Sequence, residues 1–379
     1  MKKAVSGVAI TLSDIRRFAA TQSLFPPTTL PRALARLGFV QADPIRAPAR
    51  AQDLMLRHRV TGYRAGDLER RYEELDVAED FFINYGFVTR ALQALMHPRP
   101  SVTAPAEGRR LWPAERVTRA RRLLRFVIAR GTVHPREVEA HFSHGTVRNY
   151  WGGSSNATTH LLDQMHYRGL LRVVRRDAGV RIYAAKVHPR GRAGAASRRE
   201  RLDAMADVVV RIYAPLPAQS LAFYLRRLRW AAPQWADEIG ETIARAKARL
   251  AHARVDGVEW YWPPNEAPER AAPEDRVRLL APFDPVVQDR ARFERLWGWV
   301  YRFEAYTPPA KRKLGYYALP LLWQDRVIGW GNLAMKEGRL EAQLGYVAGR
   351  APRDRGFARA LDEEIQRMRT FLKEGSDAK

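Results

Sequence analysis

Gln41 and Asp43 have the residue types and the spacing that could do chemistry in this chain. They stand in Leu37-Gly38-Phe39-Val40-Gln41-Ala42-Asp43-Pro44-Ile45, where a short apolar strand runs into two polar side chains and stops at a proline. Residues i and i+2 of a strand point to one side, so the spacing predicts an amide and a carboxylate facing together. Pro44 biases Asp43 toward an extended backbone, which keeps the pair aligned. Such a pair can hold a water: the carboxylate accepts its proton or stabilises a nearby cation, and the amide fixes its position. On spacing alone the plainer reading is preferred, with Asp43 capping the next helix and Gln41 a surface amide. The surrounding chain changes that preference.

The elements that must position the pair are legible on both sides of it. Thr11-Leu12-Ser13-Asp14 reads as a capping box opening a first helix, with Leu12, Ile15, Phe18 and Ala19 on one stripe. A second helix starts near Pro31, buries Leu34 and Leu37, and stops at Gly38. A third spans 50–57 with Leu54 and Met55 inward. Helix, helix, strand, helix suits a helix-turn-helix derivative. Further on, Val117, Ala120, Leu124, Val127 and Ile128 share a helical face, and Pro135 opens a second helix. A third helix, 156–167, precedes strands at 170–174 and 180–184 joined through Gly179. Three helices and a hairpin make a winged helix, with 156–167 as its recognition helix. The segment 186–201 reads equally as a mobile basic linker or a solvated loop.

Residues 202–262 give a third, degenerate unit of the same kind, and 263–273 a Pro/Glu-rich connector. Strands are then expected at 278–280, 301–304, 316–322, 326–333 and 341–347, with turns at Gln324-Asp325 and Glu337-Gly338. The expected class is α+β: tandem winged-helix domains followed by a small antiparallel β-barrel-like domain, a closed barrel or a curled sheet, with a terminal helix over 353–371. The boundaries are 1–110, 111–196, 197–274 and 275–379.

A chain of 379 residues exceeds one ordinary core. No apolar run reaches membrane length, the first ten residues lack the apolar core of a secretory signal, and there is no cysteine. A cytoplasmic, nucleoid-associated protein without membrane contact is expected. Lys and Arg number 65 against 41 Asp and Glu, a formal charge of +24. A GC-rich genome explains arginine over lysine but not the shortage of acids. The excess favours nucleic acid as partner. Nine histidines without ligand spacing give no reason to propose a metal, and no cofactor is expected.

Gln41-Ala42-Asp43, the Arg50/Asp53 helix, Tyr150-Trp151-Gly152-Gly153, Leu280-Ala281-Pro282-Phe283-Asp284-Pro285 with Arg290, and Pro308-Pro309-Ala310-Lys311-Arg312-Lys313-Leu314-Gly315-Tyr316-Tyr317 occur in one order. Together they resemble the AlkZ/YcaQ-like winged-helix DNA glycosylases of bacteria, over nearly the whole chain. The resemblance implies hydrolysis of N-alkylated purine nucleosides, including unhooking of interstrand crosslinks, with Gln41 and Asp43 as the catalytic motif in its aspartate-bearing form. One stretch departs: where the family has an aromatic, acidic and histidine run like Glu-Tyr-Trp-Ala-His, this chain has Phe82-Ile83-Asn84-Tyr85-Gly86-Phe87. Ala42 also replaces a larger apolar residue.

The expected reaction is monofunctional release of cationic N7-alkylguanines, with Asp43 activating water and Gln41 orienting it, and no lysine nucleophile beside the motif. DNA contacts are expected from Arg50, Arg148, Asn156, Arg168, Arg172, Lys311, Arg312 and Lys313, with Arg148, Arg168 and Arg172 on phosphates and Lys311-Arg312-Lys313 reading equally as a solvated loop. The partner is double-stranded DNA with alkylated or crosslinked purines, bound by a monomer. No aromatic cage is identifiable around the motif. The alternative, a winged-helix transcription regulator without catalysis, explains the charge but neither the Gln-x-Asp pair nor the β-rich C-terminal region.

Overall fold

The computed structural model describes residues 10–99, 112–142, 145–148, 154–186, 195–268 and 273–373. The Tyr150-Trp151-Gly152-Gly153 motif lies outside them, as does half of the expected linker, 187–194. Helix α1 (Leu12–Ser23) opens on a complete capping box, Thr11 Oγ1 accepting from Asp14 N and Asp14 accepting from Thr11 N at 2.9 Å. Helix α2 (Leu30–Leu37) buries Leu30, Ala33, Leu34 and Leu37 and ends at Gly38. Strand β1 (Phe39–Gln41) follows, then α3 (Ala51–Leu56), whose six residues are all buried, and the short α4 (Asp67–Arg70).

Next comes a hairpin that sequence reading passed over: β2 (Val77–Phe81) and β3 (Tyr85–Thr89), leading into α5 (Arg90–Met96). These strands make an antiparallel sheet of order β1-β3-β2 in which Gln41 pairs with Gly86. A Cβ on Gly86 would stand 2.3 Å from Val40 O and 2.7 Å from the Phe39 ring, so only glycine lets β1 approach here. The hairpin was hard to read because β2 carries Glu79 and Asp80, both buried, where alternation would put one of them outside.

The second unit runs α6 (Ala114–Arg130), β4 (Thr132–Val133), α7 (Pro135–Phe142), β5 (Thr146–Arg148), β6 (Ser154–Asn156), α8 (Ala157–Tyr167), β7 (Leu171–Asp177) and β8 (Val180–Ala185). Its sheet has the order β4-β8-β7, with a separate β5-β6 pair, and it encloses its own core of Leu123, Val127, Val138, Leu162, Met165 and Tyr183. The expected face of α6 is rotated: Leu123 is buried and Ile128 is 61% exposed.

Helix α9 (Ala195–Tyr213) begins inside the stretch expected as a linker. It leads to β9 (Leu216–Pro217), α10 (Ala218–Ala231), α11 (Ile239–Arg249), β10 (Ala251–Val255) and β11 (Val258–Trp262), with sheet order β10-β11-β9. Helices α1 and α5 share one core with this unit, and Phe18 meets Trp262 edge-on at 6.3 Å.

The C-terminal region holds β12 (Val277–Leu279), α12 (Arg290–Trp297), β13 (Leu319–Trp323), β14 (Arg326–Lys336), β15 (Arg339–Tyr346) and α13 (Arg355–Lys373). The expected barrel is not there. The four strands form an open antiparallel sheet in the order β12-β13-β14-β15, its outer strands unjoined, and 301–304 forms no strand. Helix α13 packs on β12 instead, the Glu364 carboxylate accepting from Leu279 N at 2.9 Å and pairing with Arg57. That covered edge has no need of closure. Among the described residues no helix is long and apolar enough to cross a membrane.

One fully buried ion pair joins the first unit to the C-terminal region. Arg59 donates to Asp284 through Nη1 and Nη2 at 2.8 and 3.0 Å, and to Ser23 O and Met55 O at 2.8 and 2.7 Å. Replacing Asp284 by alanine strands the Arg59 charge in the interior. We expect a loss of about 3–5 kcal/mol of stability, read from urea denaturation midpoints; a loss below about 1 kcal/mol would show that the pair does not hold the two regions together.

Candidate active site

Gln41 closes β1 and is 8% exposed. Its amide oxygen accepts from Asn84 Nδ2 at 2.9 Å and from Gln288 Nε2 at 2.5 Å. Each donor is fixed in turn. Arg227 of α10 donates to Asn84 Oδ1 and to Ile83 O, both at 2.7 Å, and Tyr213 of α9 donates to Gln288 Oε1 at 2.8 Å. Gln288 is placed by Asp284, whose backbone carbonyl accepts from Val287 N and Gln288 N at 2.8 Å and whose carboxylate accepts from Val286 N. With its oxygen doubly occupied, Gln41 is oriented so that its amide nitrogen, which makes no hydrogen bond among the described residues, is left as a donor.

Asp43 lies beyond the end of β1, so strand alternation does not place it. A turn does. One carboxylate oxygen accepts from Ile45 N at 2.9 Å, and Asp43 N donates to Gln52 Oε1 at 3.3 Å. Gln52 Nε2 donates to Glu69 at 3.2 Å, and Glu69 pairs with Arg50. The other carboxylate oxygen has no hydrogen bond among the described residues. The side chain is half-buried, and burial raises its pKa above the ordinary aspartate value. A fixed amide donor and a half-desolvated carboxylate with a spare oxygen can together bind and deprotonate a water, or face a developing positive charge.

Aromatic side chains do gather beside Asp43, contrary to the sequence expectation. Phe303 packs edge-on against Phe283 at 5.2 Å, Tyr317 at 5.3 Å and Tyr306 at 6.0 Å. Burial, then the Asp43 charge, raises the hydroxyl pKa values of Tyr306 and Tyr317. Tyr306 is 71% exposed. Adjoining them is an open cavity of about 940 Å³ lined by Arg46, Arg312, Lys313, Tyr316, Tyr317 and Trp330. Glu304 holds its rim by accepting from the backbone N–H of Lys313, Leu314 and Gly315.

The other sequence candidates are dispersed. Lys311 and Lys313 are exposed, and Arg312 lies over the Tyr316 ring at 5.0 Å. Arg172 is exposed on β7. Arg168 lies over Trp112 at 4.8 Å, and Asn156 caps α8 by accepting from Thr159 N at 2.9 Å. The backbone of Arg148 is in β5, and its side chain lies outside what is described. Arg50 is engaged with Glu69, two links behind Asp43. No group of three His, Cys, Asp or Glu suited to a metal occurs among the described residues. Sequence reading missed Asn84, Gln288, Tyr213 and Tyr306; Asn84 alone left a trace, inside the stretch that departs from the family pattern.

Behind Asp43, Asp53 of α3 accepts from Tyr63 Oη at 2.8 Å and Gly66 N at 3.0 Å, and burial pushes its carboxyl up to about 6. The protonated form is therefore favoured by folding: its stabilisation is complete below about pH 4 and is lost as pH rises through about 6. Asp53→Asn keeps the acceptor oxygen and never ionises. The variant is expected to be more stable than wild type near pH 7 and to lose that advantage near pH 4; parallel stability curves across this range would overturn the assignment.

A family model described as DNA glycosylase AlkZ-like matches residues 34–371, a span that holds Gln41, Asp43, Asn84, Asp284 and Gln288. Streptomyces sahachiroi DNA glycosylase AlkZ has the same fold, with a TM-score of 0.62 at 13% identity over 96% of this chain and 97% of that one. With the family model matched from the second half of α2 to the last turn of α13, the chain belongs to the AlkZ-like DNA glycosylase family and is a DNA glycosylase.

Proposed function

We propose that the protein releases cationic N7-alkylated guanines from duplex DNA by hydrolysis, acting as a monomer and without nicking the strand. The observation that carries this is the Gln41 amide, held through its oxygen with its nitrogen making no hydrogen bond among the described residues, two residues before a half-buried Asp43 with an unused carboxylate oxygen. A purine alkylated at N7 already carries positive charge, so its glycosidic bond needs little help from an acid. As C1′–N9 breaks, the electron pair goes to the base and cancels that charge, and the sugar takes on oxocarbenium character. Asp43 stabilises this cation and takes the proton of the water whose oxygen bonds to C1′; Gln41 orients that water. Among the described residues no lysine hydrogen-bonds to Gln41, Asp43 or their direct partners Asn84, Gln288 and Gln52, which fits hydrolysis rather than Schiff-base chemistry.

Recognition rests on charge. The Asp43 carboxylate and the exposed face of Tyr306 both favour a cationic purine over a neutral one. The cavity beside them leaves room for bulk on the alkyl group, including the tether of an interstrand crosslink. Three sheets of three antiparallel strands support a reading as tandem winged helices, packed so that α1 and α5 share a core with the third unit and α2 and α3 share one with the C-terminal region. Arg172, Lys311, Arg312 and Lys313 would then meet phosphates.

Asp43→Asn is expected to fold and bind DNA normally and to lose most base release from DNA bearing N7-methylguanine. Gln41→Ala should lose roughly tenfold to a thousandfold. In wild type the rate should fall as pH drops through the raised Asp43 pKa, because the base must be ionised, and Asp43→Asn should abolish that limb. Full turnover by a well-folded Asp43→Asn would remove this residue from the mechanism. The same assay run on uracil-containing duplex should yield no free base; efficient uracil excision would exclude recognition by charge.

A further inference from the structure

Helix α10 presents an outward face that neither the core nor the hydrogen bonds of the motif use. Phe223 and Trp230 are 51% and 44% exposed. Seven residues apart, they stand on one side of the helix at a separation of about 10 Å. Arg226 is exposed between them, and Arg227 crosses the Phe223 ring at 5.5 Å on its way to Ile83 O and Asn84. Arg229 lies over the Trp230 ring at 5.1 Å. The helix contains no Asp or Glu. At its far end the face meets α8, where Tyr167 donates to Trp230 O at 2.9 Å and Phe81 packs edge-on against Tyr167 at 5.5 Å. The strip thus runs from the end of α8 to the hairpin turn that holds Gln41.

Aromatic rings alternating with arginines on an acid-free helix match a polyanion that also offers flat faces. In a paired duplex those faces are stacked inside, so the rings become useful only where bases are unpaired. Displacing a damaged nucleotide unpairs its partner and loosens the neighbouring steps. A separation of about 10 Å corresponds to about three steps of a stacked strand. We propose that the Phe223–Arg226–Trp230 face of α10 is a binding site for unpaired DNA bases, the two rings stacking on them and the exposed Arg226 and Arg229 meeting the flanking phosphates. The inference takes from the functional reading only that the polymer is DNA, and it does not depend on the lesion or on Asp43.

The test is fluorescence anisotropy on undamaged probes, so that it stands apart from base release: a fully paired duplex, the same duplex with a short bulge of unpaired thymines, and a single strand. Phe223→Ala/Trp230→Ala is expected to bind the bulged and single-stranded probes roughly tenfold or more weakly and the paired duplex as wild type does. Phe223→Tyr/Trp230→Phe, which keeps both rings, should restore binding. Unchanged binding of the unpaired probes by the alanine variant overturns the proposal. So does an equal loss on all three probes, since that reports backbone contact or misfolding rather than stacking. A concentration-dependent dimer of the wild type that the alanine variant abolishes in size-exclusion chromatography would also overturn it, by assigning the face to a second copy of the chain.

Discussion

The pairing of Arg59 with Asp284 is the constraint on which the geometry of the motif depends. Both side chains are fully buried, and the guanidinium spends its donors on one carboxylate and two carbonyls, which is what a buried charge requires. The same aspartate organises its own turn through Val286 N, Val287 N and Gln288 N. Gln288 therefore arrives at Gln41 because Asp284 is anchored, and Asp284 is anchored because Arg59 cannot be left alone. The Pro282-Phe283-Asp284-Pro285 sequence thus acts on the motif from across the fold, with Gln288 as the contact.

A second group of buried charges ties the motif sheet to the unit containing α8. Glu79 is held by Arg176 and Tyr85 at 2.6 and 2.5 Å, and Asp80 by Arg99 and His97 at 2.7 and 2.8 Å. Burial pushes both carboxyls upward, but the arginines outweigh it and hold Glu79 below its ordinary value and Asp80 well below. Burial pushes His97 down to about 4, so at neutral pH it meets Asp80 as a neutral donor. These groups orient β2 against β7 and β8, and with it the turn carrying Asn84. Positional coupling between α8 and Gln41 follows from this packing, because the turn that orients the amide is the one that the second unit clamps.

Much of the local structure was legible. The capping box of α1, the Gly38 stop of α2, the hairpin through Gly179 and the later strands other than 301–304 follow from patterns that act within a few residues. What was not legible is long-range. The β2–β3 hairpin hides behind two buried acids whose partners, Arg176 and Arg99, lie on other elements. The barrel was inferred from strand spacing, but closure depends on whether β12 meets another strand or a helix, and α13 takes that place. At the motif, residue type and spacing made Gln41 and Asp43 candidates but favoured the plainer reading until the surrounding chain was weighed, and a shared strand face does not place them: β1 ends at Gln41, and Asp43 is set by a turn and by Gln52.

The departure at Phe82-Ile83-Asn84-Tyr85-Gly86-Phe87 gains a physical reading from these contacts. The segment is the hairpin turn and the start of β3, and each residue there answers a local demand: Phe82 and Ile83 fill the core, Gly86 lets β1 close up, Asn84 bridges Arg227 to Gln41, and Tyr85 donates to Glu79. A histidine and an acid at this place would put ionisable groups against the amide that must stay oriented. Here Arg227 acts on the amide through the neutral Asn84. In the proposed mechanism the group that ionises is then Asp43, while Gln41 is held by neutral amides.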